Sequence, residues 1–156
     1  MSLNQSLAQR VREVFHHGHW VAQTNYKEVT QSVSWQQATQ KVNHLNSLAA
    51  LVVHVDYYVG GVTQVLKGGP LEIRDKFSFE APNVNSDSDW QSLIDTLLKN
   101  AELFAKAIET LPEEKLREPF VEERYGSYLR NIEGIIEHSY YHLGQIVLIK
   151  KLISTS

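Results

Sequence analysis

Apolar residues recur along the chain in four long runs of helical spacing, separated by stretches carrying turn residues. In the first run Leu3, Leu7, Val11, Val14 and Phe15 fall three or four residues apart, and Gly18 closes it. That spacing predicts an amphipathic helix. A mixed stretch from Trp20 to His44 follows, in which Ser34, with Gln37 three residues on, predicts a short capped helix. Asn46 and Ser47 then open an apolar run that ends at Gly68-Gly69-Pro70. This is a cap-to-stop signature for a helix of about twenty residues. Its valines are mildly unfavourable in a helix, but strands rarely reach that length.

The connection from Pro70 to Ser88 has no helical period. Connections that long are uncommon in compact domains and are often functional, which makes this one a candidate cover for a site. Asp89 is the expected cap of the third helix, which carries Leu93, Leu97, Ala101, Phe104, Ile108 and Leu111 and stops at Pro112. A second connection, Pro112 to Gly126, leads into a last helix from Tyr128 to about Ile153. Lys150 and Lys151 sit in its final turns, where cations complement the helix dipole. Four amphipathic helices predict an all-α fold, a four-helix bundle. The long connections predict crossovers at the bundle ends.

Composition narrows the function classes. At 156 residues the chain is expected to form one domain, spanning 1–156. Its 42% hydrophobic and 21% charged residues are ordinary for a soluble globular protein. The absence of cysteine excludes a disulfide scaffold, a Cys-ligated zinc finger, an iron–sulfur protein and a cysteine nucleophile, and fits a reducing cytoplasm. A net charge of −3 argues against nucleic acid as a partner. Met1 to Arg10 lacks the apolar core of a signal peptide. The apolar stretch Leu48 to Val55 is interrupted by His54 and followed by Asp56, far short of a membrane span. The expectation is a cytoplasmic protein with no membrane partner. Seven histidines are the one compositional oddity.

A helical wheel sorts them. On the last helix Ile132, Ile135, Ile136, Leu143, Ile146, Ile149 and Ile153 share one broad arc, opposite Arg130, Glu133, Glu137 and Lys151. His142 falls inside the apolar arc, and His138 on its edge beside Asn131 and Gln145. Polar groups that face a core need partners. His138 and His142 are four residues apart, so their Cβ atoms stack about 5–6 Å apart and both rings can reach one metal ion. His54 lies on the same stripe of the second long helix as Leu51, Tyr58, Val62 and Val65. Inward groups from facing helices are how bundles build metal sites.

Seven histidines yield about 0.3 pairs at this spacing by chance, so the pair alone carries little. Three inward histidines on two core helices carry more. His44 cannot share a site with His54, since even on one continuous helix it would lie about 15 Å away. His16, His17 and His19 fall at the end of the first helix, where cations favour the dipole. A zincin protease is disfavoured because its motif needs Glu directly after the first His, and this segment reads His138-Ser139-Tyr140-Tyr141-His142.

The stretches Asn46 to Tyr58 and Gly134 to Ile146, above all His138-Ser139-Tyr140-Tyr141-His142-Leu143-Gly144-Gln145-Ile146, resemble the DinB/YfiT-like superfamily. The resemblance covers nearly the whole chain, including the Trp90 helix and the break at Leu111-Pro112-Glu113-Glu114. It implies a four-helix bundle, often a homodimer, with three histidines around a divalent metal ion, here His54, His138 and His142. The superfamily includes bacillithiol transferases and mycothiol-dependent isomerases.

Three neutral histidines would leave the metal its full charge and an open position. A water on such a zinc ion has a pKa near 7, which supports hydrolysis. An external low-molecular-weight thiol could occupy the same position; with no cysteine in the chain, the sulfur must come from outside. The leading expectation is therefore a metal-dependent thiol transferase or hydrolase acting on a small molecule. Tyr58, Asn131, Tyr141 and Gln145 are the candidates to support the ligands. The alternative is a non-enzymatic, metal- or ligand-binding homodimeric bundle. A third possibility is a plain bundle with hydrogen-bonded core histidines. The ion is expected to be zinc, nickel, iron or manganese, and imidazole suits copper as well.

Overall fold

Short polar side chains start most of the helices. In the computed structural model, which describes residues 1–80 and 83–154, the hydroxyls of Ser2, Ser34, Ser47 and Ser86 and the amide oxygen of Asn25 each accept a first-turn N–H. Those caps satisfy donors that a helix leaves unpaired. The helices are α1 (Leu3–Arg12), α2 (Tyr26–Gln31), α3 (Trp35–Thr39), α4 (Leu48–Leu66), α5 (Asp87–Thr110) and α6 (Tyr128–Ser154). α1 runs on into a π turn, Glu13–His17. Short 3-10 turns lie at Asp75–Phe77, Glu113–Arg117 and Glu123–Tyr125. Among the described residues there is no strand, and the fold is all-α.

Two boundaries differ from expectation. α5 starts at Asp87 and is capped by Ser86, not by Asp89. Ser86 Oγ accepts the Asp89 N–H at 3.1 Å, and the Asp89 carboxylate accepts the Asn85 N–H at 2.9 Å. Asp89 is thus a first-turn acid, stabilised by the dipole one turn inside the helix. α2 has no counterpart in the sequence reading, because its six residues are too few to display a period.

α4 packs against α5 and α6, and α1 packs against α5 and α6. The seams are built from the predicted stripes: Leu51, Val62 and Val65 of α4, Leu97, Phe104 and Ile108 of α5, and Ile132, Ile136, Leu143 and Ile146 of α6 are all buried. Each such side chain stabilises the fold by about 1.5–3 kcal/mol. Directional bonds from three side chains fix how the pieces meet. Tyr26, fully buried, donates its hydroxyl to the Ser139 carbonyl at 2.7 Å. Trp90 Nε1 donates to the Val33 carbonyl at 3.0 Å. Asn4 Nδ2 donates to the carbonyls of Ile108 and Leu111, both at 2.8 Å, and so closes the C-terminal end of α5.

α4 is long and apolar enough to cross a membrane by length and composition, although its uninterrupted apolar stretch is short. In the fold 56% of that window is buried against the other helices, and it carries a buried His54. A core helix passes the same test of length and composition.

The connection after α4 folds back over it. The Tyr57 hydroxyl accepts the Arg74 N–H at 2.8 Å. Tyr58 donates its hydroxyl to Asp75. Ile73 lies so close to Gly61 that a Cβ there would sit 2.3 Å from Ile73 Cγ1. Residues 81 and 82 of this connection lie outside the described residues.

Candidate metal centre

α4 aims His54 inward, and α6 aims His138 and His142 at it from the facing side. His54 and His142 are buried and His138 half-buried. His54 Nε2 lies 3.1 Å from His138 Nε2, and His142 Nε2 lies 3.0 Å from the same atom. Among the described residues these three form the one group of metal-type ligands that converges in this way.

The donor chemistry fits an ion better than a hydrogen-bonded cluster. A single Nε2 carries either one proton or one lone pair, so His138 Nε2 cannot bond two neighbouring Nε2 atoms well. Three lone pairs directed at one cation remove that conflict. Two nitrogens about 2.1 Å from one ion stand roughly 3.0 Å apart at a right angle and 3.4 Å apart at the tetrahedral angle. The observed 3.0 and 3.1 Å fall at the right-angle end of that range.

Burial keeps the rings neutral, as ligands must be. Desolvation, reinforced by His142 and then His54, lowers the His138 pKa to about 4. Desolvation also lowers His142, with the Gln145 bond opposing it. His54 is lowered by desolvation and then by His142, while the Ser78 backbone and Asp75 pull weakly the other way. His54 Nδ1 is buried and finds no partner within hydrogen-bond geometry, so the Ser78 influence is a loose one.

The supporting candidates separate by position. Gln145 Oε1 lies 2.7 Å from His142 Nδ1, which places the proton on Nδ1 and leaves Nε2 its lone pair. Tyr58 packs edge-on against His54 and His138, with ring centroids 5.1 and 5.0 Å away. Burial, then its bond to Asp75, pushes the Tyr58 hydroxyl up to about 12, so it stays protonated. Tyr141 meets the edge of His142 at 4.9 Å from a largely exposed position. Asn131 commits its amide to the carbonyls of Tyr125 and Ser127, both at 2.8 Å, and lines a cavity next to His138.

The Pro70–Ser88 connection contributes residues that the sequence did not single out. Phe79 stacks on His54, with centroids 4.1 Å apart and planes 8° apart. Asp75 holds Tyr58, and Ser78 is a buried residue of this connection, which forms a strap over His54. The only sequence signal for them was an aromatic residue in an aperiodic polar stretch. The other four histidines stay apart. His16 lies 4.0 Å from Glu102 and His19 3.3 Å from Glu28, while His17 is exposed and His44 lines a separate cavity with Gln145. Glu137 pairs with Arg130 at 3.0 Å on the outer surface.

No family model, no curated protein and no solved structure matches the chain.

Proposed function

We propose that this protein is a metal-dependent enzyme, a thiol transferase or hydrolase that acts on a small molecule through His54, His138 and His142. The observation that carries the reading is the convergence of three neutral imidazole nitrogens at 3.0 and 3.1 Å, drawn from two helices. A divalent ion held there supplies a Lewis acid able to lower the pKa of a water or of an external thiol. The chain's own groups do the rest. Gln145 holds the His142 tautomer. Tyr58, its hydroxyl proton held by Asp75, packs edge-on against His138. Phe79 shields one face of His54 from water.

The same reading takes the fold as a four-helix bundle of the DinB/YfiT-like kind, working as a homodimer. Tyr141, Leu148 and Leu152 are exposed along one side of α6, next to exposed Leu45, and this apolar surface suits a second copy of the chain.

Metal analysis of the purified protein, before and after chelation, tests the centre. One equivalent of divalent metal per chain is expected, lost in a His138→Ala, His142→Ala double variant. No metal above background, together with unchanged stability of that variant, refutes the reading. The loaded protein is then assayed with electrophiles plus low-molecular-weight thiols, and separately with esters and amides. Tight metal binding with no turnover in either panel transfers the assignment to a non-enzymatic metal-binding module.

A further inference from the structure

Beside His138 lies a cavity of about 600 Å³, within the size range of small-molecule sites. Its polar groups lie toward the exposed side and each already holds a partner. Asp75 accepts from Tyr58, Arg130 pairs with Glu137 at 3.0 Å, and Asn131 bonds two backbone carbonyls. Tyr125, whose hydroxyl accepts from Arg124, also lines it, and the apolar part of the wall is Val62, Leu71, Ile73, Phe120 and Ile135. Against the apolar wall, a ligand body carrying hydrogen-bonding groups would lose hydration without gaining partners.

A glycine in the wall leaves this space open at a cost to the fold, and a strained turn adjoins it. Gly134 lies within α6, where glycine is less favourable than alanine by about 1 kcal/mol. A Cβ there would come no closer than 3.9 Å to any neighbour, and that neighbour is Arg130 Nη1. Crowding therefore does not explain the glycine, and the open space is the cavity it lines. Next to the wall residue Phe120, Val121 holds a φ of 61°, which is strained for a β-branched residue. The turn it forms, with Glu122 N–H bonded to the Phe120 carbonyl at 2.6 Å, sits directly after Phe120 in the cavity wall.

We infer that this cavity binds the apolar body of a small molecule whose polar end faces the three histidines. The polar end rests on the metal reading above, whereas the apolar body rests on the cavity alone.

The test keeps the two apart. Chelated protein is titrated with benzyl alcohol and followed by methyl NMR. Shifts centred on Val62 and Ile135, lost in Gly134→Leu and retained in Gly134→Ala, are expected. Val62→Phe fills the space from the other side and serves if Gly134→Leu does not fold. Absent shifts, or shifts that survive both filling variants, overturn the inference whether or not the protein binds metal. In the metal-loaded protein, benzohydroxamate is expected to bind at least about tenfold more tightly than acetohydroxamate, the scale expected of an apolar group in a fitted pocket. Gly134→Leu should abolish that preference and leave acetohydroxamate affinity in place. Equal affinity of the two probes for the unmodified loaded protein overturns the inference, while failure of the metal reading alone would appear as neither probe discriminating loaded from chelated protein.

Discussion

His142 donates its Nδ1–H to Gln145 Oε1 at 2.7 Å, one turn further along α6. The bond selects the tautomer in which Nε2 is free to face His138 and His54. Partners of this kind typically contribute about 10–100-fold to metal affinity. Gln145→Ala is expected to weaken divalent metal binding by that factor, measured by competition with a chromophoric chelator. Gln145→Glu keeps an acceptor in place and should bind nearly normally. Equal affinities for the parent protein and Gln145→Ala would remove Gln145 from the site.

Acid should weaken the metal-free fold through the same histidines. The His138 pKa is about 4 in the folded chain against an ordinary value near 6.5, and His54 and His142 shift in the same direction. Between those two values the unfolded chain binds a proton that the folded chain refuses. Stability is therefore fully present above pH 6.5 and falls as the pH drops toward 4. Urea midpoints of chelated protein across this window check it, with His138→Asn as the comparison. The parent should lose more stability on acidification than the variant, and identical slopes would contradict the assignment.

The strap depends on a glycine. A Cβ at Gly61 would lie 2.3 Å from Ile73 Cγ1, so Gly61→Ala forces the strap away from α4. Overpacking of this sort costs about 1–3 kcal/mol, partly offset by the better helix propensity of alanine. Ile73→Ala loses apolar packing when made alone. It should nevertheless relieve the clash in the Gly61→Ala background. A double-mutant cycle with thermal unfolding is expected to give a coupling of at least about 0.5 kcal/mol, and strict additivity would mean that the contact is absent.

Val121 carries strain that glycine can relieve. At a φ of 61° and half-exposed, it loses little packing on truncation. Val121→Gly should stabilise the protein by roughly 1 kcal/mol, read as a higher melting temperature. Val121→Pro, whose ring cannot adopt that φ, should destabilise it. A lower melting temperature for the glycine variant would mean that the turn is unstrained.

Much of the site was legible because helical periodicity reports which side of a helix is buried. His54, His138 and His142 sit at inward positions on their stripes, and all three point inward in the fold. Ser47 before α4 and Pro112 after α5 mark helix ends, since caps and stops act within a turn. Asn131 also lies near His138 and His142 on the wheel, yet its contacts differ from those of Gln145. Rotamer and neighbour decide those contacts, and angular position on the helix does not. The roles of Asp75 and Phe79 left almost no trace, because an aperiodic connection carries no facing information.

The sequence by itself determined the helical class, the long helices and the three histidines that face inward, because each depends on residues within a few turns of one another. The tertiary structure decided that His54 meets His138, 84 positions further along the chain, that the strap lies over His54, and that a cavity opens at Gly134. Those outcomes depend on how buried faces pair and on the path of the connections. Local spacing constrains neither, since one apolar stripe can pack against any other of similar width and length.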